Sequence, residues 1–127
     1  MLVIDHAQQP IEWRGRDKNI EHRTLVSRTN GATQMTLWEI FPPPTAGAPP
    51  HVHPHEETMT VLHGRIKAQL NKEIVEVRKG QTLFIPANTG HSFAVVGEET
   101  AHLLVAFPVD EPVWDRIDWT AWLKSSD

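Results

Sequence analysis

The sequence of 127 residues contains no cysteine and no tyrosine. The absence of cysteine excludes disulfides, thiolate metal sites and cysteine nucleophiles, and the absence of tyrosine excludes a phenolic general base. Basic residues are few as well, since 12 lysines and arginines stand against 16 acidic residues, for a net charge of -4. Without a basic field to hold it, neither a nucleic acid nor an anionic membrane is an expected partner.

Long apolar runs are also missing, and none is long enough for a transmembrane helix. Residues 1–10 lack the basic start and apolar stretch of a secretory signal, so we expect a cytoplasmic protein. The 39% hydrophobic and 22% charged content is typical of a folded soluble chain. At this length, residues 1–127 are predicted to form a single domain.

Ten prolines and seven glycines separate short segments rich in valine, isoleucine, threonine and phenylalanine, a pattern typical of an all-β domain. The predicted strands are 24–28, 33–41, 58–63, 65–70, 74–77, 82–85, 91–96 and 102–107. Residues 45–50 are predicted to be a loop. About eight short strands indicate a sandwich or small barrel with a filled or ligand-sized interior. The near-helical spacing in 112–123 predicts a short amphipathic helix or irregular tail outside the sheet, or a subunit contact.

Histidine is abundant, with eight in the chain, and several of them are clustered. His51 and His53 are two residues apart, so on a strand they project to the same side. Glu57 opens the next strand and adds an acidic oxygen, and His91 starts a later strand. Three imidazoles and one carboxylate suit a first-row divalent metal and leave coordination positions open for water, substrate or dioxygen.

Two alternatives remain open at this segment. The histidines could decorate a surface loop beside two glutamates, and Glu56 could replace Glu57 as the ligand. His55 lies in the turn between the two strands, out of phase with the inward pair. We therefore expect His55 to be exposed to solvent rather than to bind the metal.

The spacing of these residues resembles the two sequence motifs of the cupin superfamily, over roughly residues 45–95. The first motif, a His-x-His pair followed by a glutamate and a glycine, is matched by His51, His53, Glu57 and Gly64. The second motif, a glycine, a proline and a histidine, is matched by Gly80, Pro86 and His91. The short spacer between the motifs resembles that of small single-domain cupins.

Three positions depart from the motifs. Thr45 stands where the first motif has glycine, Asn88 stands where the second has glycine, and Val95 replaces a final asparagine. Asparagine tolerates a positive φ better than most residues. None of the three changes removes a metal-ligand type, although Val95 excludes a polar group at that point.

The resemblance implies a cupin, or jelly-roll, β-barrel of two sheets. Inside it, one divalent ion (iron, manganese, nickel or zinc) is bound by His51, His53, Glu57 and His91. A degenerate site that binds metal weakly is the alternative. Small cupins commonly pair through sheet faces and exchanged N-terminal strands, so the resemblance also implies a homodimer.

Side-chain alternation predicts which residues surround such a metal. Met59 and His63 share the parity of Glu57, and Phe93 shares that of His91. Met59 and Phe93 are therefore candidate substrate-binding residues in a mostly apolar pocket, as is Trp38 on the strand before the proline run, with plain core packing as the alternative. His63 is a candidate general acid or base, but its position beside a turn glycine favours the barrel mouth or surface.

Three functions are compatible with this site. The favoured one is a metal-dependent enzyme on a small organic substrate, with dioxygenase-type oxidation or bond cleavage, as in some small cupins that this chain resembles. The second is a non-oxidative Lewis-acid isomerase, lyase or cyclase, which lacks here the tyrosine base of some lyase members. The third is a small-ligand-binding barrel without catalysis.

Overall fold

A computed structural model describes residues 2–125 of the chain. Met1, Ser126 and Asp127, the ends of the predicted single domain, lie outside the described residues. Within residues 2–125 the chain forms eleven strands and one α-helix: β1 (Glu12–Arg14), β2 (Ile20–Val26), β3 (Thr36–Phe41), β4 (Gly47–Val52), β5 (Glu57–His63), β6 (Arg65–Leu70), β7 (Glu73–Arg78), β8 (Thr82–Ile85), β9 (His91–Val95), β10 (His102–Phe107), β11 (Asp115–Arg116) and α1 (Trp119–Ser125).

The strands form two antiparallel sheets. The six-stranded sheet has the order β1-β2-β3-β10-β5-β8, and the five-stranded sheet has the order β11-β4-β9-β6-β7. Successive strands of the chain often lie in different sheets, so the connections cross repeatedly between the two layers, as in a jelly roll. The predicted all-β barrel of two sheets with a short C-terminal helix is confirmed.

The core lies between the sheets and is made by alternate residues of each strand. In β6, Ile66 and Ala68 are buried while Lys67 between them is exposed, as the strict alternation of that segment predicts. In β10, Leu103 and Val105 occupy the same layer. Burial of these apolar side chains is the main stabilising contribution to the barrel.

The predicted loop at residues 45–50 is wrong, because most of it belongs to strand β4. Prolines 49 and 50 argue against a strand, since proline lacks a backbone donor. The structure accommodates them at a register shift between Ala48 and His51, where the ladder to β9 is interrupted. Gly47 is required there because a Cβ atom at this position would overlap the carbonyl group of Phe93 on β9.

Two other strands differ from the prediction by more than one residue at a boundary. Strand β2 spans Ile20–Val26 rather than 24–28, because Arg28–Asn30 form a 3-10 turn that the Ser27 side chain caps. Strand β3 begins at Thr36 rather than at residue 33. The capping turn ends at Gly31, with φ 98°, so the chain reaches the sheet only a few residues later.

The prediction that the C-terminal tail lies outside the sheet is only partly right, because the tail begins as a strand of the five-stranded sheet. Its first part is the short edge strand β11, paired with β4, and only the second part is helical. The Trp122 indole Nε1 donates a hydrogen bond to Asn71 Oδ1 at 2.8 Å and lies over Gly90. Within the described residues, no helix is long and apolar enough to cross a membrane.

Candidate metal centre

Four side chains converge between the two sheets. His51 lies near the end of β4, directly opposite His91 at the start of β9, and Glu57 begins β5 in the other sheet. His53 follows β4 immediately. One ligand atom from each of these four residues lies within 4.8 Å of every other. The structure therefore brings together all four metal-ligand residues that the sequence predicts.

The three imidazole rings are held in one orientation by backbone carbonyl groups. Each Nδ1 atom donates to a carbonyl oxygen: His51 to Pro49 at 2.7 Å, His53 to Val113 at 2.7 Å and His91 to Thr89 at 2.9 Å. Because a carbonyl oxygen only accepts, the proton of each neutral ring lies on Nδ1 and the lone pair on Nε2. Such an outer hydrogen bond orients a histidine for metal binding and makes it a stronger ligand.

The Glu57 carboxylate adds a negatively charged acceptor to the three imidazoles, so the cluster is suited to bind a cation. Its Oε1 atom lies 3.2 Å from His53 Nε2 and 3.1 Å from His91 Nε2. With the ring protons on Nδ1, all three of these atoms are acceptors, so a proton or a metal ion has to lie among them. Three nitrogen donors and one oxygen donor fit a first-row divalent metal.

The electrostatics of the cluster follow from its burial and its carboxylate. Burial opposes ionisation of Glu57, but hydrogen bonds to His53 and His91 outweigh it and hold the pKa of Glu57 below its usual value. Burial also opposes protonation of His53, and the Glu57 carboxylate reverses this and raises the pKa of His53. Burial, followed by the charges of its histidine neighbours, lowers the pKa of His51 to about 4. The lowered pKa of Glu57 favours the ionised carboxylate that metal binding requires, whereas the raised pKa of His53 means that a proton competes with a metal ion for that ring.

The cluster opens into a cavity of about 1090 Å³. The three predicted substrate-binding residues, Trp38, Met59 and Phe93, all line this cavity. Phe107 joins them, with its ring centroid 5.3 Å from that of His53 and 4.8 Å from that of Trp38. The wall beside the cluster is therefore mainly aromatic and apolar.

Other candidates lie outside the cluster. His63 is 56% exposed and forms an ion pair with Glu99 at 2.6 Å, and it is not among the residues lining the cavity. Glu56 is exposed, so Glu57 is the carboxylate that joins the histidines. The expected exposure of His55 is wrong: the residue is half-buried, its ring stacks on His53 with centroids 5.0 Å apart, and its Nε2 accepts from the Val113 N–H.

Three contributors to the site were not predicted from the sequence. The Val113 carbonyl that orients His53 comes from the C-terminal tail, 60 residues away in the chain, and no local pattern indicates it. Phe107 and His22 also line the cavity. A signal for His22 did exist, because it alternates with the buried Ile20 on β2.

The two residues that replace motif glycines adopt the backbone conformation that glycine favours. Thr45 and Asn88 both adopt a positive φ, of 69° and 61°, in the left-handed region where glycine is favoured. Val95 is 3% exposed and packs in the core. The chain thus retains the local geometry of both motifs with other side chains.

Comparison with known proteins identifies the family. The Cupin domain model matches residues 37–107, and the chain belongs to this family. The polyketide synthase CurC of Streptomyces cyaneus is 34% identical over 105 residues. That match covers 80% of this chain and 66% of CurC, just under two thirds of its length.

Solved structures give the same fold. The polyketide cyclase RemF from Streptomyces resistomycificus superposes with a TM-score of 0.80 and 26% identity, covering 93% of this chain and 86% of RemF. An RmlC-like cupin from Shewanella frigidimarina superposes with a TM-score of 0.74 and 19% identity, covering 87% of this chain and 94% of that one. The second likeness concerns the fold alone.

Proposed function

We propose that this protein is a metal-dependent cyclase that acts without oxygen on a polyketide, a carbon chain carrying repeated ketone groups. The similarity to CurC and RemF supports the substrate class and the reaction. The observation that carries the proposal is the combination of the buried ligand cluster with a large aromatic cavity.

The residues that would hold the ion are His51, His53, Glu57 and His91. A divalent ion bound there supplies Lewis acidity that polarises a ketone oxygen and makes the neighbouring carbon acidic. Four protein ligands leave positions open on a six-coordinate ion for substrate oxygens. The carbonyl groups behind the three rings keep the Nε2 atoms aimed at one point, which fixes where a substrate ketone has to sit.

The cavity residues would fold and shield the substrate. A volume of about 1090 Å³ exceeds the roughly 300–1000 Å³ of ordinary ligand pockets, so it admits a molecule of several rings. Trp38, Phe93 and Phe107 offer flat walls against which a folded unsaturated chain packs. A substrate packed against these side chains would displace water from beside the cluster, which favours attack by carbon within the substrate over hydrolysis.

The dioxygenase-type oxidation predicted from the sequence would use the same four ligands, as would a non-catalytic binding barrel that retains its metal. RemF favours cyclisation because it is named a polyketide cyclase, and the name of CurC, a polyketide synthase, agrees with it in the substrate class. The three functions differ in their requirement for oxygen and in turnover, so one assay separates them.

The test is conversion of a synthetic linear poly-β-ketone by metal-reconstituted protein, followed by mass spectrometry and oxygen uptake. We expect cyclised product, with loss of water, to form anaerobically and faster than with the His91→Ala variant, which lacks a ligand. The His63→Ala variant, changed at a histidine outside the cavity, is the matched control and should keep the rate. Product that forms only with oxygen consumption would support the dioxygenase, and the absence of turnover would contradict both enzymes.

A further inference from the structure

One buried polar side chain lies apart from the ligand cluster. His22 on β2 is 3% exposed, and neither ring nitrogen has a hydrogen-bond partner within residues 2–125. Strand alternation places it on the inward face together with Ile20, and it pairs in register with Ile40 on β3. It lines the same cavity as the metal ligands.

An unpartnered imidazole at this place is unfavourable for folding. Burial of a polar group without a hydrogen bond destabilises a protein by roughly 1–3 kcal/mol, so buried polar groups almost always have partners. On β3 the neighbours of His22 are the apolar Ile40 and Trp38. On β1 it pairs in register with Glu12, whose carboxylate accepts from Arg14 and not from the His22 ring. Because His22 is among the residues that line the cavity, an occupant of the cavity is the candidate for the missing partner.

The surroundings keep the ring neutral and set it against an aromatic wall. Burial and then the nearby Arg14 charge lower the pKa of His22 to about 4. A neutral imidazole has one N–H donor and one nitrogen acceptor. The Trp38 ring meets His22 edge-on with centroids 4.6 Å apart, and the Arg14 guanidinium lies 5.3 Å from the Trp38 centroid.

His22 is separated from the metal ligands by aromatic rings. The contacts run from His22 to Trp38 at 4.6 Å, from Trp38 to Phe107 at 4.8 Å and from Phe107 to His53 at 5.3 Å. A group bound to His22 is therefore distinct from a group bound at the cluster. A planar molecule lying along these rings can reach both places.

We propose that His22 is a substrate-positioning residue, which hydrogen-bonds a hydroxyl or carbonyl oxygen of a planar ring system on the far side of Trp38 and Phe107 from the metal ligands. The choice of an oxygenated ring as occupant rests on the proposed function. The binding role of His22 does not depend on turnover. In the cyclase, this contact would fix which ketone of the chain reaches the cluster.

The test compares the binding of two probes, naphthol and naphthalene, which differ by one hydroxyl group. Dissociation constants are measured by tryptophan fluorescence on metal-loaded wild-type protein and on the His22→Phe variant, after equal metal content has been verified. The preference for naphthol is the dissociation constant of naphthalene divided by that of naphthol. We expect this ratio to fall roughly tenfold in the variant, which corresponds to the free energy of one buried hydrogen bond. Naphthalene binding should stay nearly constant, because phenylalanine retains the ring contact with Trp38.

The Ile40→Val variant is the matched control, since Ile40 lines the cavity beside His22 without a polar group. It should affect both probes by a similar factor and leave their ratio unchanged. An unchanged ratio in His22→Phe, or wild-type protein that does not bind naphthol, would overturn the proposal. Because the measurement needs no turnover, a protein that fails to cyclise a poly-β-ketone but shows the hydroxyl preference would refute the cyclase and leave the role of His22 intact.

Discussion

Replacing His22 by phenylalanine should make the fold less sensitive to acid. Burial, then the Arg14 charge, lowers the pKa of His22 from 6.5 to about 4 in the folded protein, against a small opposing effect of Glu12. The other strand beside it, β3, presents the uncharged Ile40 and Trp38. As the pH falls below 6.5, the unfolded chain binds a proton at this residue that the folded chain does not bind. Stability is therefore lost through this window, and the loss levels off near pH 4.

The linkage between the two pKa values gives the magnitude. Between about pH 7.5 and about pH 5, His22 should reduce the free energy of unfolding by up to about 2 kcal/mol. The measurement is urea unfolding of wild-type protein and His22→Phe at both pH values, with a chelator present so that metal release affects neither. At the higher pH the variant should be at least as stable as wild type, because an unpaired buried polar group has been removed. Equal losses of stability in the two proteins on acidification would show that the pKa of His22 is not lowered by folding.

Three further substitutions should change stability in directions that the structure fixes, each measured by the urea midpoint. Thr45→Gly should stabilise by about 1 kcal/mol, because a β-branched residue is strained at positive φ; a lower midpoint would contradict this. Gly47→Ala should destabilise by at least about 2 kcal/mol, because the new Cβ meets the Phe93 carbonyl, and a neutral result would refute the close approach of β4 and β9. Glu39→Gln should destabilise by about 1 kcal/mol at neutral pH, because the buried carboxylate accepts from His102 Nε2 at 2.8 Å. Burial opposes ionisation of Glu39, but its histidine partners hold its pKa below the usual value, so this difference should shrink in acid; a constant difference would refute the ion pair.

The four clustered residues could be predicted from the sequence because they lie on or beside strands, where side-chain direction alternates with a period of two. His51 and His53 share a side by that rule, and the spacing to Gly64 distinguishes Glu57 from its neighbour. The rule fails once a strand ends. Alternation alone would group His63 with the interior, but that residue is exposed at the end of β5, as the turn glycine beside it indicated.

Other features depend on contacts between distant parts of the chain. The segment 45–50 was predicted as a loop because its prolines disfavour regular pairing, yet the register shift opposite β9 makes a strand possible. The support that Val113 gives His53 comes from the tail and leaves no local signature. The position of His22 at the cavity required knowing where β2 begins, and the sequence placed that strand four residues late.

We expect the four-residue cluster to hold one divalent metal ion. The most direct test is elemental mass spectrometry of untagged, dialysed protein after reconstitution with iron, manganese, nickel or zinc. Wild-type protein and the His63→Ala control should each retain a single equivalent of metal per chain, and His91→Ala should lose most of it. Wild-type protein that takes up no metal, or a His91→Ala variant that retains as much as wild type, would show that this cluster is not a metal site.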